Sequence, residues 1–324
     1  MEETIKAGIL KKLFTIILRI SISVILLVFL FKQVDKKSLL EIIKNADKPI
    51  LSLAFFISFL IYLLCLLRWQ MLLKAAKIYL PLKRIIIAFA GGVFFSLFLP
   101  SSIGGDLVRS IDLATHTKKP REVVATVLLD RLSGYVGLVI IALLAVIFGW
   151  KLIRDTSVLI SITIITGILF IILLALFNNF LFSKINKLLH SPTAGKIKES
   201  LRNLHQEIHI FKQHKKIIAN NLILSIIIQI IGPLAFYITA LSLGIKTNII
   251  YFFIFVPIIG AITLLPISIG GLGLRDATTI YFFTKIGVSK DLAFALSLTS
   301  FLFIVIYGAL GGIVYVLTVY HRRI

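Results

Sequence analysis

Charged residues are scarce in this 324-residue chain, and cysteine is almost absent. Only 15% of the residues are charged, whereas 59% are hydrophobic, and the mean hydropathy is +1.04. A soluble domain of this length could not bury so much apolar surface, so lipid must surround most of the chain. The single cysteine, Cys65, lies within an apolar run, which excludes an internal disulfide and a cysteine-based metal centre.

Acidic residues are also few. The chain has 14 Asp and Glu against 35 Lys and Arg, which gives a formal net charge of +21. Such a charge can indicate nucleic-acid binding, but here the cations occur in short runs between apolar segments. Runs of this kind are typical of topology signals in membrane proteins and of contacts with anionic headgroups. We therefore predict anionic membrane lipids, and no nucleic acid, as partners.

Motifs of soluble enzymes are missing as well. The sequence contains no P-loop, no G-x-S-x-G and no H-E-x-x-H. His205 and His209 have a metal-compatible spacing, but no Cys or carboxylate pattern accompanies them, so a solvated helix face is the better interpretation. Asp106 and Asp112 are six residues apart and would fall on different helix faces. We predict no catalytic residue, no cofactor and no metal.

Long apolar segments are abundant and predict an all-α polytopic membrane protein with a single transmembrane domain, residues 1–324. About six of them are long enough to span. Gly308 and Gly312 form a G-x-x-x-G pair in the last one, which is typical of close helix packing. The basic stretch 178–216 carries apolar residues at spacings of three and four, which predicts an amphipathic helix on the cytoplasmic interface. The predicted spans are residues 13–31, 50–67, 123–150, 158–177, 217–243 and 292–320.

One pattern, L-P-x-S-I-G-G-x-x-x-R, occurs at residues 99–109 and again at 265–275, with seven of eleven positions identical. The first copy follows about fifteen apolar residues, fewer than the roughly twenty that a spanning helix needs. Proline and paired glycines break helices, so we expect the same structural device in both copies, a hairpin tip. The predicted tip residues are Pro100, Ser102, Gly104 and Gly105 in the first copy, and Pro266, Ser268, Gly270 and Gly271 in the second.

The loop charges favour re-entrant hairpins. If every apolar segment crossed the membrane, residues 178–216, with eight Lys or Arg, would lie outside. If the first motif instead enters from the cytoplasm and returns, almost every positive cluster lies inside, and the second motif enters from outside. This topology makes residues 1–157 and 158–324 an inverted repeat in a cell-membrane protein with both termini cytoplasmic.

Arginines follow both glycine pairs. Amides at the start of a helix, followed one turn later by Arg109 or Arg275, are suited to bind phosphate. Asp106 and Asp276 would neutralise or orient these arginines. The alternative is purely structural, with Pro-Gly forming a tight turn and Arg pairing internally.

Asp130 and Arg131 are neighbours within a predicted span and project in different directions. Each therefore needs a partner elsewhere, with Arg109 and Asp106 as candidates. A headgroup contact and an ion-pair brace are equally open interpretations of this pair.

Three blocks in order resemble the lysylphosphatidylglycerol synthase transmembrane-region family, also described as flippase-like or UPF0104 membrane proteins. They are L-P-x-S-I-G-G-D-x-x-R, Leu129-Asp130-Arg131-Leu132 and L-P-I-S-I-G-G-L-G-x-R-D. The resemblance covers nearly the whole chain and implies a membrane domain that translocates lipid. The aminoacyl-transferase domain of fuller members is missing from this sequence, so we expect no synthase activity.

The resemblance leaves several substrates and roles open. The cargo would be an anionic, aminoacylated or glycosylated phospholipid, or a polyprenyl-phosphate lipid, and a separate lipid-modifying enzyme is a candidate partner. The alternative function is a membrane enzyme or accessory subunit in glycolipid or lipid-linked sugar synthesis, with Asp106 and Asp130 near the headgroup. A scaffold without transport is the third option.

Overall fold

The computed structural model describes residues 35–99, 102–152, 215–263 and 268–320, together with parts of 21–32 and 156–167. Most of the predicted spans 13–31 and 158–177 lies outside the described residues, as do nearly all of the predicted amphipathic segment 178–216, Pro100 and Pro266. In chain order the helices described are α1 (Lys36–Lys44), α2 (Lys48–Ala75), α3 (Leu82–Ser96), α4 (Ser102–Ala114), α5 (Pro120–Phe148), α6 (Lys215–Ser242), α7 (Ile249–Thr263), α8 (Leu274–Thr284) and α9 (Lys290–Tyr320).

Four of these helices, α2, α5, α6 and α9, are long and apolar enough to cross a membrane. They have 28 to 31 residues, which corresponds to about 42–46 Å, more than the roughly 30 Å of a hydrocarbon core. Their outward apolar side chains are exposed in the isolated chain, for example Phe56 at 68% and Ile147 at 67%. Such surface is stable only against lipid. The prediction of a polytopic all-α membrane protein is therefore confirmed.

Two differences from the predicted elements concern polar sequence. The helix predicted at 50–67 continues to Ala75, and Arg68 lies inside it and is buried. The stretch between the predicted spans 13–31 and 50–67 contains α1, a helix that the apolar pattern does not predict. The Asp35 side chain caps α1 by accepting a 3.1 Å hydrogen bond from the Lys37 amide. Leu39 of this short helix is buried.

Four of the shorter helices form two helical hairpins. Hairpin A consists of α3 and α4, and hairpin B of α7 and α8. Their arms have only 15, 13, 15 and 11 residues, so the longest arms extend about 22 Å and are too short to span. Each hairpin has one copy of the repeated motif at its turn.

Both hairpins have arms that pack against each other in antiparallel fashion. In hairpin A, the arms approach so closely that a Cβ on Gly105 would collide with the backbone of Gly92. In hairpin B, aromatic rings fill the interface, with a centroid separation of 5.0 Å between Phe252 and Phe283. The re-entrant shape inferred from loop charges is thus matched by a helix–turn–helix at each motif.

By its contacts the chain divides into two compact units, and several helices contribute residues to both. Unit 1 contains Met1–Phe59, Ile87–Arg109 and Pro233–Ile324. Unit 2 contains Leu60–Ile86 and Ser110–Gly232. The described part of unit 1 holds the glycines and the arginine of both motif copies, and unit 2 holds the Asp130-Arg131 pair.

Candidate functional site

The two motif copies differ in backbone conformation. Helix α4 begins at the fourth motif position, so Gly104 and Gly105 are helical. Helix α8 begins only at the tenth position, Leu274. The backbone before α8 turns through three glycines in the left-handed region that L-residues rarely adopt. Their φ values are 58° at Gly270, 76° at Gly271 and 78° at Gly273.

The expectation of one identical device used twice is therefore wrong for the backbone. In hairpin A the glycine pair lies in the first turn of a helix, where it permits close packing of the arms, and it is not the tip itself. In hairpin B the pair forms the tip. The physical reason is Gly273, which has no counterpart in the first copy and lets the turn continue for several more residues.

Arg109 and Asp106 form a buried ion pair within α4. Asp106 Oδ1 accepts a hydrogen bond from Arg109 Nε at 3.0 Å and lies 2.9 Å from Arg109 Nη2. The two residues are only 4% and 8% exposed, and the guanidinium lies 5.8 Å from the centre of the Phe89 ring. A Cβ on Gly92 would lie 3.2 Å from Arg109 Cβ, so this glycine makes room for the arginine. The predicted pairing of Arg109 with Asp106 is present.

Arg275 and Asp276 form a second and more extensive network. Asp276 is fully buried, and its Oδ1 accepts from Arg275 Nη2 at 2.7 Å and from Ser297 Oγ at 2.5 Å. Its Oδ2 accepts from the Gly273 amide at 2.9 Å, which fixes the start of α8. Arg275 Nε also donates to Ser297 Oγ at 3.1 Å, and the guanidinium lies 4.5 Å from the centre of the Phe301 ring.

The two motif regions approach each other within unit 1. A Cβ on Gly270 would lie 3.3 Å from the carbonyl oxygen of Leu97, two residues before the first motif. Ser268, in the second motif, is 2% exposed, and its hydroxyl makes no hydrogen bond to any residue that the structure describes. The approach of the two motif regions thus involves a backbone carbonyl, and the buried Ser268 hydroxyl belongs to the same motif copy as Arg275.

Helix α9 contacts both hairpins. Ser297 and Phe301 contact Arg275, as described above. Further along α9, Gly308 and Gly312 face hairpin A so closely that an added Cβ would collide with Leu97 and Phe94, respectively. The close packing predicted from the G-x-x-x-G pair is confirmed.

Asp130 has a partner that the sequence analysis missed. Arg68 Nε donates to Asp130 Oδ1 at 2.7 Å, and the side chains are 6% and 4% exposed. We had expected Arg109 or Asp106 as the partner, but these two residues pair with each other. The helix predicted to end at residue 67 continues through Arg68 because this ion pair and its neighbours offset the desolvation of the guanidinium.

Polar groups of three long helices surround the Arg68–Asp130 pair in unit 2. Arg68 Nη1 donates to Ser225 Oγ at 3.1 Å, and Asn221 Nδ2 donates to the Arg68 carbonyl at 3.2 Å. Gly134 makes room for the guanidinium, since its added Cβ would lie 3.2 Å from Arg68 Nη1. The sequence did contain a signal for this network, because Asn221, Ser225 and Gln229 recur every four residues on one face of α6.

The predicted site residues therefore fall into separate groups. The Arg109 and Arg275 pairs lie in unit 1, and the half-buried Arg131 lies beside Asp130 in unit 2. The side chain of Ser102 lies outside the described residues. Among the described residues, no three His, Cys, Asp or Glu are grouped to hold a metal ion. The chemistry available in unit 1 is anion recognition, in which a phosphate competes with a carboxylate for an arginine.

Comparison with known proteins agrees with this architecture. A family model described as "Lysylphosphatidylglycerol synthase TM region" matches residues 16–312. A UPF0104 membrane protein of Pyrococcus horikoshii is 25% identical over 307 residues, which cover 87% of this chain and 90% of the relative. A UPF0104 membrane protein of Methanothermobacter thermautotrophicus is 24% identical over 277 residues, covering 79% and 81%. Since the model spans most of its length, the chain belongs to the lysylphosphatidylglycerol synthase TM region family.

Proposed function

We propose that this protein is a flippase-like transporter that moves an anionic or modified lipid between membrane leaflets. The cargo class is a phospholipid, aminoacylated or glycosylated, or a polyprenyl-phosphate lipid. The observation that carries the proposal is the junction in unit 1, where two short helical hairpins approach each other and each holds a buried Arg–Asp pair.

The buried charges of the two hairpins carry a free-energy cost. Ionised side chains within membrane segments are expensive and are typical of transport pathways. Broken helices at membrane depth are tolerated where they are buried or line a wet cavity. An arginine that is held by a carboxylate exchanges that carboxylate for a phosphate without a change in the number of charge-assisted hydrogen bonds. Arg109 and Arg275 would therefore bind the headgroup phosphate, and Asp106 and Asp276 would neutralise the arginines before and after passage.

The proposed topology is an inverted repeat with halves at about 1–157 and 158–324. Hairpin A enters from the cytoplasm and hairpin B from outside, and both termini are cytoplasmic in the cell membrane. Rocking of the halves would expose the site to each leaflet in turn. Because no nucleotide motif occurs in the sequence, a gradient or mass action would drive transport.

Leaflet exchange in liposomes tests this proposal. The purified protein is reconstituted with headgroup-labelled lipids, and the fraction protected from a membrane-impermeant reagent is followed. We expect exchange to collapse in the double variant Arg275→Gln/Asp276→Asn, which removes both charges but keeps hydrogen-bonding groups. Lys285→Gln is the matched control, since it removes one exposed cation at the end of the same hairpin. Equal exchange in the double variant and in the control would contradict the headgroup role.

We further propose that the protein is not itself an enzyme and acts beside a separate lipid-modifying enzyme. The same liposomes test this point when an activated sugar donor is added. Formation of a glycolipid product without leaflet exchange would reject transport in favour of the enzyme or accessory function. Absence of both activities across the lipid panel would favour a scaffold.

A further inference from the structure

An ion pair at the open end of hairpin A is not part of the proposed transport site. Arg84, near the start of α3, donates from Nη2 to Asp112 Oδ1 at 2.5 Å and to the Asp112 carbonyl at 3.2 Å. The same nitrogen lies 3.1 Å from His116 Nδ1. All three contacts lie within unit 2 and join the two ends of the hairpin away from its turn.

This pair leaves one donor and one acceptor unused. Arg84 is 5% exposed, yet its Nε makes no hydrogen bond to any residue within the described part of the chain, and neither does Asp112 Oδ2. Arginine–carboxylate pairs are commonly bidentate, with two parallel hydrogen bonds. Here the contacts among the described residues run through a single nitrogen, Nη2, so the Nε edge of the guanidinium is not used by the pair. A buried polar atom without a partner costs free energy that a ligand or water would recover.

The surroundings are strongly basic and lie at an apolar boundary. Residues 74–84 and 116–121 contain seven Lys and Arg and no Asp or Glu. Lys119 Nζ connects the two segments by donating to the carbonyl oxygens of Ala76 and Lys77, just after α2, at 3.4 Å each. Tyr79, in the first loop, is 77% exposed, and an exposed tyrosine beside lysines is typical of the membrane–water interface.

We propose that Arg84 and Asp112 form a headgroup-binding site for a membrane phospholipid that carries both a phosphate and a hydrogen-bond donor. Arg84 Nε donates to a phosphate oxygen, and Asp112 Oδ2 accepts from a hydroxyl or ammonium of the same headgroup. Glycerol and ethanolamine headgroups have such a donor, whereas choline does not. The exposed Tyr79 and the apolar start of α3 favour a lipid over a soluble phosphate.

This headgroup site adds a binding step to the proposed transport function. The inference that the bound lipid is cargo rests on that proposed function. The site would collect cargo at the membrane surface before that cargo reaches the motif junction. Binding and transport are measured separately, so either proposal can fail alone. A protein that binds headgroups at Arg84 but exchanges no lipid between leaflets would refute only the transporter.

The test measures lipid binding to the full chain in detergent. Thermal unfolding is followed while short-chain phosphatidylglycerol, phosphatidylethanolamine or phosphatidylcholine is titrated, with free glycerol 3-phosphate as the soluble arm. We expect the first two lipids to raise the unfolding temperature at concentrations about tenfold lower than phosphatidylcholine requires. Stabilisation by glycerol 3-phosphate at the same concentrations as phosphatidylglycerol would refute a lipid source.

Variants then separate recognition from general charge. Arg84→Gln should weaken phosphatidylglycerol binding about tenfold, whereas Lys83→Gln, which removes the same charge from the exposed neighbouring side chain, should leave it within about twofold. Asp112→Asn should abolish the preference over phosphatidylcholine. The proposal is overturned if Lys83→Gln weakens binding as much as Arg84→Gln, or if Asp112→Asn retains the preference. Asp112→Asn also decides the case if Arg84→Gln does not fold.

Discussion

The Arg68–Asp130 pair allows a quantitative test of what holds unit 2 together. Their charged atoms are 2.7 Å apart, and both side chains are almost fully buried. Removal of one charge leaves the other without a partner in a low-dielectric environment, which costs about 3–5 kcal/mol, whereas replacing both by apolar residues is often nearly neutral. We expect Arg68→Met and Asp130→Leu each to lower the free energy of unfolding by about 3–5 kcal/mol, and the double variant by at most about 2 kcal/mol.

The local hydrogen bonds support this asymmetry. Ser225, which accepts from Arg68, also donates to the Asn221 carbonyl at 2.8 Å, so the loss of the arginine does not leave its hydroxyl unsatisfied. Reversible unfolding in mixed micelles would give the double-mutant cycle, with an expected coupling of at least about 4 kcal/mol. Lys74→Met, an exposed position in the same helix, is the control and should change stability by less than about 0.5 kcal/mol. Additive single variants, or single losses below about 1 kcal/mol, would refute the reasoning.

Three further variants test the hairpins and the topology. Gly105→Ala should destabilise the protein by about 1–3 kcal/mol, because the added Cβ collides with the backbone of α3. Gly260→Ala, at a helical position with open space around it, should stabilise the protein by about 0.5–1 kcal/mol. Equal effects of the two variants in thermal unfolding would contradict the packing. Lys77 has a left-handed φ of 54° after α2, so Lys77→Gly should raise stability by about 0.5–1 kcal/mol, and a loss measured in the same assay would argue against this conformation. In a cysteine-free background, Lys118→Cys and Lys285→Cys should label from opposite membrane sides, and labelling from one side would reject the inverted repeat.

Several elements could be predicted because their signals are local. The spans at 123–150, 217–243 and 292–320 were read from apolar length, and their ends agree with α5, α6 and α9 to within three residues. The breaks at the motifs followed from proline and paired glycine. Such signals depend on the backbone chemistry of a few consecutive residues, so they need no knowledge of the tertiary fold.

Arg68 could not be assigned to a helix in the same way. It directly follows the predicted span 50–67, and nothing in the neighbouring sequence indicates that the helix continues. The partner that stabilises it, Asp130, is 62 positions away in the sequence, and hydropathy does not report such pairs. Hydropathy also does not predict α1, a short helix in which Leu39 is buried by tertiary packing whereas Leu40 and Ile43 are exposed.

The motif itself was recognised, but its conformation was not. Seven identical positions suggested identical turns, whereas the helix start moves from the fourth position to the tenth. The differing positions decide this. At the ninth position Gly273 supplies a third left-handed residue before α8, whereas Leu107 stands there in the first copy and lies within α4. A repeated sequence therefore conserved the location of the break more than its shape.

Helix α9 contacts both hairpins with residues on one of its faces. A helix rotates by about 100° per residue, so Ser297, Phe301, Gly308 and Gly312 all fall within a sector of about 60°. The residues that contact Arg275 and those that contact hairpin A thus lie on the same face of α9. Phe301 and Gly308 are seven residues apart, so the two contacts are separated by about 10 Å along the helix axis. A substitution between these two residues does not change this spacing. A single inserted residue would rotate the α9 residues that contact one hairpin by about 100° relative to those that contact the other. The interval between Phe301 and Gly308 is therefore expected to tolerate side-chain changes at exposed positions such as Leu302 and Ile304, but no change of length.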